Sequence, residues 1–314
     1  KDEKESLRTV TLAEMVNVKD KEQKNKSKNK IAVYYAYGSI DNSMSSIGTE
    51  GINSERVMLD LRKLREDKDI KAVVLRVNSP GGSAYGSEQI WREVSLLKEK
   101  KPVIVSMGDY AASGGYYISC AADWIVAEPT TLTGSIGIFG MIPDPSKLLT
   151  ETLDLHFDGV KTNRLADMGA MGRPLNGEEQ ALFQNMVNDG YELFTRRCAD
   201  GRKMPIDEIK RIAEGRVWTG EMAKELKLVD QLGGINDAIE AAADRAKLED
   251  YRIVKYPNQT DFLTSILSNV NPDRYIYNKI ESMFGDFGES LLFLKNIDKI
   301  DRLQARMPFD IILE

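Results

Sequence analysis

Ser113 is the residue in this chain whose setting most resembles that of a nucleophile. It follows the β-prone run Val103-Ile104-Val105-Ser106 and the small-residue stretch Met107-Gly108-Asp109-Tyr110-Ala111-Ala112. It precedes Gly114-Gly115-Tyr116-Tyr117-Ile118, which reads as the start of a short helix. A serine where a strand gives way to a helix lies near backbone N–H groups that have no partner in the first helical turn. Two readings follow, a nucleophile or a helix cap. A second glycine-bearing turn, Gly81-Gly82, closes another β-prone run, Val73-Val74-Leu75-Arg76-Val77. In a parallel sheet both strand ends lie on one side, so the two turns can face one site. Glycines there admit close backbone approach and offer N–H donors, which is what an oxyanion hole requires. Neither turn spells a phosphate-binding GxGxxG or GxxxxGK[ST].

A serine nucleophile needs a base. The chain has a single histidine, His156, flanked by Leu155 and Phe157. That setting suits a strand or surface residue better than a base, and it argues against a Ser-His-Asp triad. Lysine serves the same role when it is desolvated enough to be neutral. Lys161 is the internal candidate by position, with an ordinary exposed lysine as its alternative.

The elements that must carry these residues alternate. Residues 31–38 read as a buried strand, the helix from Asn53 carries Val57, Leu61 and Leu64 at helical spacing, and residues 70–77 form a strand. A helix over residues 84–98 and the strand from Val103 follow. This order predicts an α/β fold with parallel strands and crossover helices. Further on, the pattern predicts short strands at residues 124–127 and 135–139, with Leu132-Thr133-Gly134 as a turn between them. A short helix at residues 145–152 and an extended segment at 155–162 come next. Helices over 176–200, from Pro205, over 220–226 and over 234–246 precede a last strand at 253–256. Residues 257–314 are rich in Phe, Leu, Ile and Tyr and are expected to form a mostly helical docking or oligomerisation segment. Residues 1–30 are highly charged and read as a linker.

Composition excludes several classes. The formal net charge of −6 argues against a nucleic-acid surface. Cys120 and Cys198, the two cysteines, form no CxxC pair and suggest neither a disulfide framework nor a zinc site. No apolar run reaches the roughly 18 residues that span a bilayer.

Several stretches resemble signal peptide peptidase A, or protease IV, of peptidase family S49. They are Val73-Val74-Leu75-Arg76-Val77-Asn78-Ser79-Pro80-Gly81-Gly82-Ser83, Ala111-Ala112-Ser113-Gly114-Gly115-Tyr116, Leu132-Thr133-Gly134-Ser135-Ile136-Gly137, Gly215-Arg216-Val217-Trp218-Thr219-Gly220 and Leu228-Val229-Asp230. The likeness runs over about residues 31–247. It implies a ClpP/crotonase-like spiral of ββα units with a helical C-terminal appendage, and a serine endopeptidase acting on signal peptides already released from preproteins. By this resemblance Ser113 is the nucleophile, the N–H groups of Gly82 and Gly114 are the oxyanion donors, and Ser135 orients the catalytic lysine. No cofactor is implied.

The lysine departs from the pattern. Aligned on Asp167, its position in the short family members falls on Ala166, and Lys161 lies several residues too early. Leu165-Ala166-Asp167 is similar to the C-terminal half of the long, duplicated members, whose N-terminal half contributes the base. The chain is then expected to be half an enzyme, weak or inactive alone, with residues 1–30 linking it to an absent N-terminal half and residues 31–256 forming the peptidase domain. The resemblance also implies a tetrameric homo-oligomer and a place at the bacterial cytoplasmic membrane, with the catalytic body on the outer face and the anchor outside this chain. Two other readings are a crotonase-like acyl-CoA enzyme, which would not need Ser113 at the helix start, and a non-catalytic assembly scaffold.

Overall fold

Alternation of side chains along the first strand sets up the two layers of the core. In β1 (Lys30–Tyr37), Ala32, Tyr34 and Ala36 face one apolar layer while Ile31 and Val33 face another, as the period of two in a strand demands. The computed structural model describes residues 27–41, 51–257 and 303–306. The expectations for residues 1–26, and for most of residues 257–314, lie outside these.

Two ββα units follow one another. β1 leads through β2 (Ile40–Asp41) and β3 (Ile52–Asn53) to α1 (Ser54–Glu66). Next, β4 (Ile70–Ser79) leads through β5 (Gly81–Ser83) to α2 (Ala84–Lys98). Both helices begin where the sequence expects, because Asn53 and Ser83 cap them: the side chains accept from the amides of Arg56 and Gly86 at 2.9 Å each. β6 (Val103–Ala112) and α3 (Gly114–Ser119) come next. β1, β4 and β6 lie side by side, all parallel, and α1 and α2 pack on the layer that holds Tyr34, Leu75 and Val105.

β6 is longer than expected. The small residues after Ser106 continue the strand because they find partners on both sides. Ala111 stands opposite Ser79 of β4, and Tyr110 to Ala112 stand opposite the residues of β8 (Leu132–Gly134). β7 (Trp124–Ala127) pairs with the first half of β6. The expected turn at Leu132-Thr133-Gly134 is therefore a strand. The expected strand at residues 135–139 is mostly irregular, because Ser135 turns to a φ of 48° and only β9 (Phe139–Gly140) is extended.

The expected short helix is a single π-helical turn, Leu148–Thr152, and residues 155–162 form no strand. Beyond it lie α4 (Gly177–Arg202), α5 (Ile206–Ile212), β10 (Val217–Thr219), α6 (Gly220–Glu225), β11 (Gln231–Leu232), α7 (Ile235–Arg245) and β12 (Arg252–Tyr256). α7 covers the second layer with Ala238, Ile239 and Ala242. β12 adds parallel to β1. Within the expected helical tail, the described residues form a strand, β13 (Leu303–Arg306). It joins a smaller sheet in the order β3-β2-β5-β13-β9. The large sheet, in the order β10-β8-β6-β4-β1-β12 with β7 and β11 branching from β6, is parallel except at β10. The fold is α/β.

Candidate active site

Ser113 leaves β6 in a conformation that residues with a Cβ seldom adopt, with φ 53° and ψ −115°. Such backbone persists only where its surroundings hold it, and here they do. The Ser113 amide donates to the Gly134 carbonyl at 2.8 Å, and the Tyr117 amide donates to the Ser113 carbonyl at 2.8 Å. α3 is pinned by its aromatic residues. The Tyr116 hydroxyl donates to the Leu228 carbonyl at 3.0 Å, and the Tyr117 hydroxyl donates to Glu88 at 2.7 Å. Tyr117 also stacks on Phe194 with ring centroids 4.3 Å apart. Glu88 in turn holds Arg197 at 2.6 Å. Burial raises both tyrosine pKa values, so each hydroxyl stays protonated as a donor.

The Ser113 side chain makes no capping bond. The residue is 1% exposed, and its Oγ has no hydrogen-bond partner among the described residues. A buried hydroxyl left unbonded costs free energy that a cap would have recovered, so capping does not explain the serine.

The glycine turns converge on it. Gly81 has a φ of 102°, and a Cβ there would lie 2.7 Å from the Gly114 amide nitrogen and overlap the Ala305 carbonyl. A Cβ on Gly114 would lie 2.6 Å from the Ser87 hydroxyl and 2.9 Å from the same carbonyl. Only residues without side chains allow β5, α3 and β13 to meet this closely. Gly82 sits beside them, opposite Ile40 of β2 and Ala305 of β13. Ser135 follows Gly134 directly, is 2% exposed, and donates its amide to the Arg216 carbonyl at 2.7 Å. The structure thus brings Ser113, Gly114 and Ser135 together through Gly134 and the start of α3, with the Gly81-Gly82 turn against Gly114.

A cavity of about 440 Å³ opens beside Ser135, lined also by Ile138, Phe139, Tyr191, Glu214 and Arg306. No lysine lines it among the described residues. Lys161 is half exposed, and its amine pairs with Asp167 at 2.7 Å. His156 is 87% exposed beside Asp154, 3.4 Å away. Neither residue is among those that line the cavity beside Ser135. Two residues at the site had no sequence signal: Ala305 and Arg306 are separated by more than 190 residues from Ser113, and only chain pairing reveals them.

The Leu228-Val229-Asp230 motif supports this arrangement from below. The Asp230 carboxylate accepts from the Ile125 amide at 2.8 Å and from both Arg202 terminal nitrogens at 2.6 and 3.0 Å. This anchors the segment whose Leu228 carbonyl receives Tyr116.

An α/β fold that sets an unbonded serine hydroxyl at a strained strand-to-helix turn, against glycine backbone, has the layout of a serine hydrolase. Comparison with known proteins narrows that class. The family model for peptidase family S49 matches residues 95–249. The chain is 43% identical to Protease 4 of Salmonella typhi over 241 residues, 76% of this chain and 38% of that protein. It is 37% identical to an Enterococcus faecium protein named as signal peptide peptidase SppA, over 70% of this chain and 64% of that one. It is 34% identical to the Synechocystis sp. protein slr0021, named as a protease, over 66% and 74%. Among solved structures, a point mutant of ClpP1 from Listeria monocytogenes matches with a TM-score of 0.45 at 16% identity, covering 66% of this chain and 94% of that one. The chain belongs to peptidase family S49, a family of serine proteases. It spans little more than a third of the length of the Salmonella protein. No helix among the described residues is long and apolar enough to cross a membrane.

Proposed function

We propose that this chain is the serine-bearing half of a Ser/Lys endopeptidase that degrades released signal peptides, with the lysine supplied by an N-terminal half. Ser113 is the nucleophile in this reading. A neutral lysine amine takes the proton from Oγ as it attacks the peptide carbonyl, and later gives it to the leaving amine. The amides of Gly82 and Gly114 stabilise the oxyanion, where one donor is typically worth a factor of about a hundred or more. Water then releases the acyl group. Ser135 positions the lysine.

The observation that carries this is a buried, unbonded Ser113 hydroxyl beside a cavity that holds Ser135 and no described lysine, while Lys161 is engaged by Asp167. Exposed apolar side chains on the segment before Lys161, including Leu153, Leu155, Phe157 and Val160, suit a protein neighbour. A tetrameric assembly and a setting on the outer face of the bacterial cytoplasmic membrane go with this reading. Mixing the chain with its N-terminal half and assaying a small peptide ester tests it. Turnover is expected only in the mixture, and Ser113→Ala should abolish it. Full activity of the chain alone, lost on Lys161→Ala, would overturn the proposal.

A further inference from the structure

β13 lies where an added peptide would lie. It runs antiparallel to β5, with Gln304 opposite Ser83, Ala305 opposite Gly82 and Arg306 opposite Gly81. On its other side it runs antiparallel to β9, with Leu303 opposite Gly140 and Gln304 opposite Phe139. Four residues from the far end of the chain thus fill the space between two strands that it alone joins among the described residues.

The centre of this strand meets the candidate chemistry. Ala305 is fully buried, and its carbonyl oxygen occupies the space that a Cβ on Gly81 or Gly114 would take. The following residue, Arg306, lines the cavity beside Ser135. An extended segment therefore presents one carbonyl at the glycine backbone and passes its next residue towards the cavity where a base would work. The Ser113 hydroxyl beneath is buried and unbonded. Adding a strand to a sheet edge is a general way of holding a peptide, with main-chain bonds giving affinity and side-chain pockets giving specificity.

We propose that Leu303–Arg306 is a built-in substrate-like segment. The site takes peptides as an extra antiparallel strand between β5 and β9, with a small residue opposite Gly82, and this chain's own segment fills that position and covers Ser113. The inference rests on the reading of Ser113 as nucleophile.

Two measurements on the full chain separate the inference from that reading: hydrogen exchange of the Gly81–Ser83 amides, and labelling of Ser113 by a fluorophosphonate at pH 9. Ala305→Trp and Ala305→Pro each displace the strand, the first because the buried site has no room for an indole. Both variants are expected to exchange in β5 and to label at Ser113 at least about tenfold faster. A synthetic peptide spanning residues 301–309 should reverse both effects in trans. If neither exchange nor labelling changes in either variant and unaltered Ser113 labels readily, the inference is overturned while the nucleophile stands. If exchange responds and the peptide restores it, but Ser113 never labels, the nucleophile reading fails and the substrate-like role fails with it.

Discussion

The amide of Ser113 donates to the carbonyl of Gly134 at 2.8 Å, which ties the end of β6 to the end of β8 and sets Ser113 and Ser135 at one site. The two serines should nonetheless respond differently to removal. In the reconstituted pair, Ser113→Ala is expected to lower kcat by about a thousandfold or more, since the residual rate rests on oxyanion donors and binding alone. Ser135→Ala should cost about ten- to a hundredfold. It should also move the acid limb of the pH–rate profile, because that limb reports the lysine it positions. Steady-state kinetics across pH, with an unchanged profile for Ser135→Ala, would count against its positioning role.

Lys161→Ala tests the remaining internal base. Its partner Asp167 is already held by Arg173 at 3.0 Å, and the pair lies at the surface. Ion pairs in such settings add little to stability, because water and salt screen them. The substitution is expected to leave peptide-ester turnover of the reconstituted enzyme within about twofold, and its denaturation midpoint nearly unchanged.

Acid should loosen the loop that precedes α4. Hydrogen bonds from Arg173 and then Lys161 lower the Asp167 pKa to about 2, and Arg173 with the Asn176 amide lowers that of Glu179 to about 2. Both carboxyls are depressed below their usual values near 4, so their contribution is present above about pH 4 and is lost as pH falls towards 2. Protease susceptibility of residues 161–179 should rise across that window, and Arg173→Met should raise it already at pH 7.

The pair beneath the site carries more energy. The Arg202 side chain is 7% exposed and Asp230 binds it through two oxygens. Removing one partner leaves a charge without compensation, typically costing about 3–5 kcal/mol. Asp230→Ala also strips the Ile125 amide of its acceptor. Chemical denaturation should show a loss of about that size, together with reduced turnover in the reconstituted enzyme through the displaced Leu228 and Tyr116.

Local signals made much of this fold legible. Asn53 and Ser83 mark helix starts because their side chains meet amides within one turn, and the apolar residues of α1 fall at helical spacing whatever surrounds them. Where a distant partner decides, the residues themselves are silent. Met107 to Ala112 look like a turn by composition, yet they extend because β4 and β8 offer pairing on either side. Ser113 was ambiguous between cap and nucleophile until its hydroxyl was seen to bond to nothing described. Leu303 to Arg306 carry no alternation or turn chemistry that marks them as part of a site. Their role comes from the glycines opposite, more than 200 residues earlier.

The parallel pairing of β1 with β12 also bears on how the protein is made. Lys30 finds its partner Arg252, and Tyr34 finds Tyr256, only after nearly the whole body has been synthesised. Until then the apolar strand Ile31 to Ala36 has β4 on one side and an open row of amides and carbonyls on the other, the kind of edge that invites pairing with another chain. A nascent chain stalled before residue 252 would be expected to aggregate through this edge, or to occupy a holding chaperone, until the emerging last strand closes it.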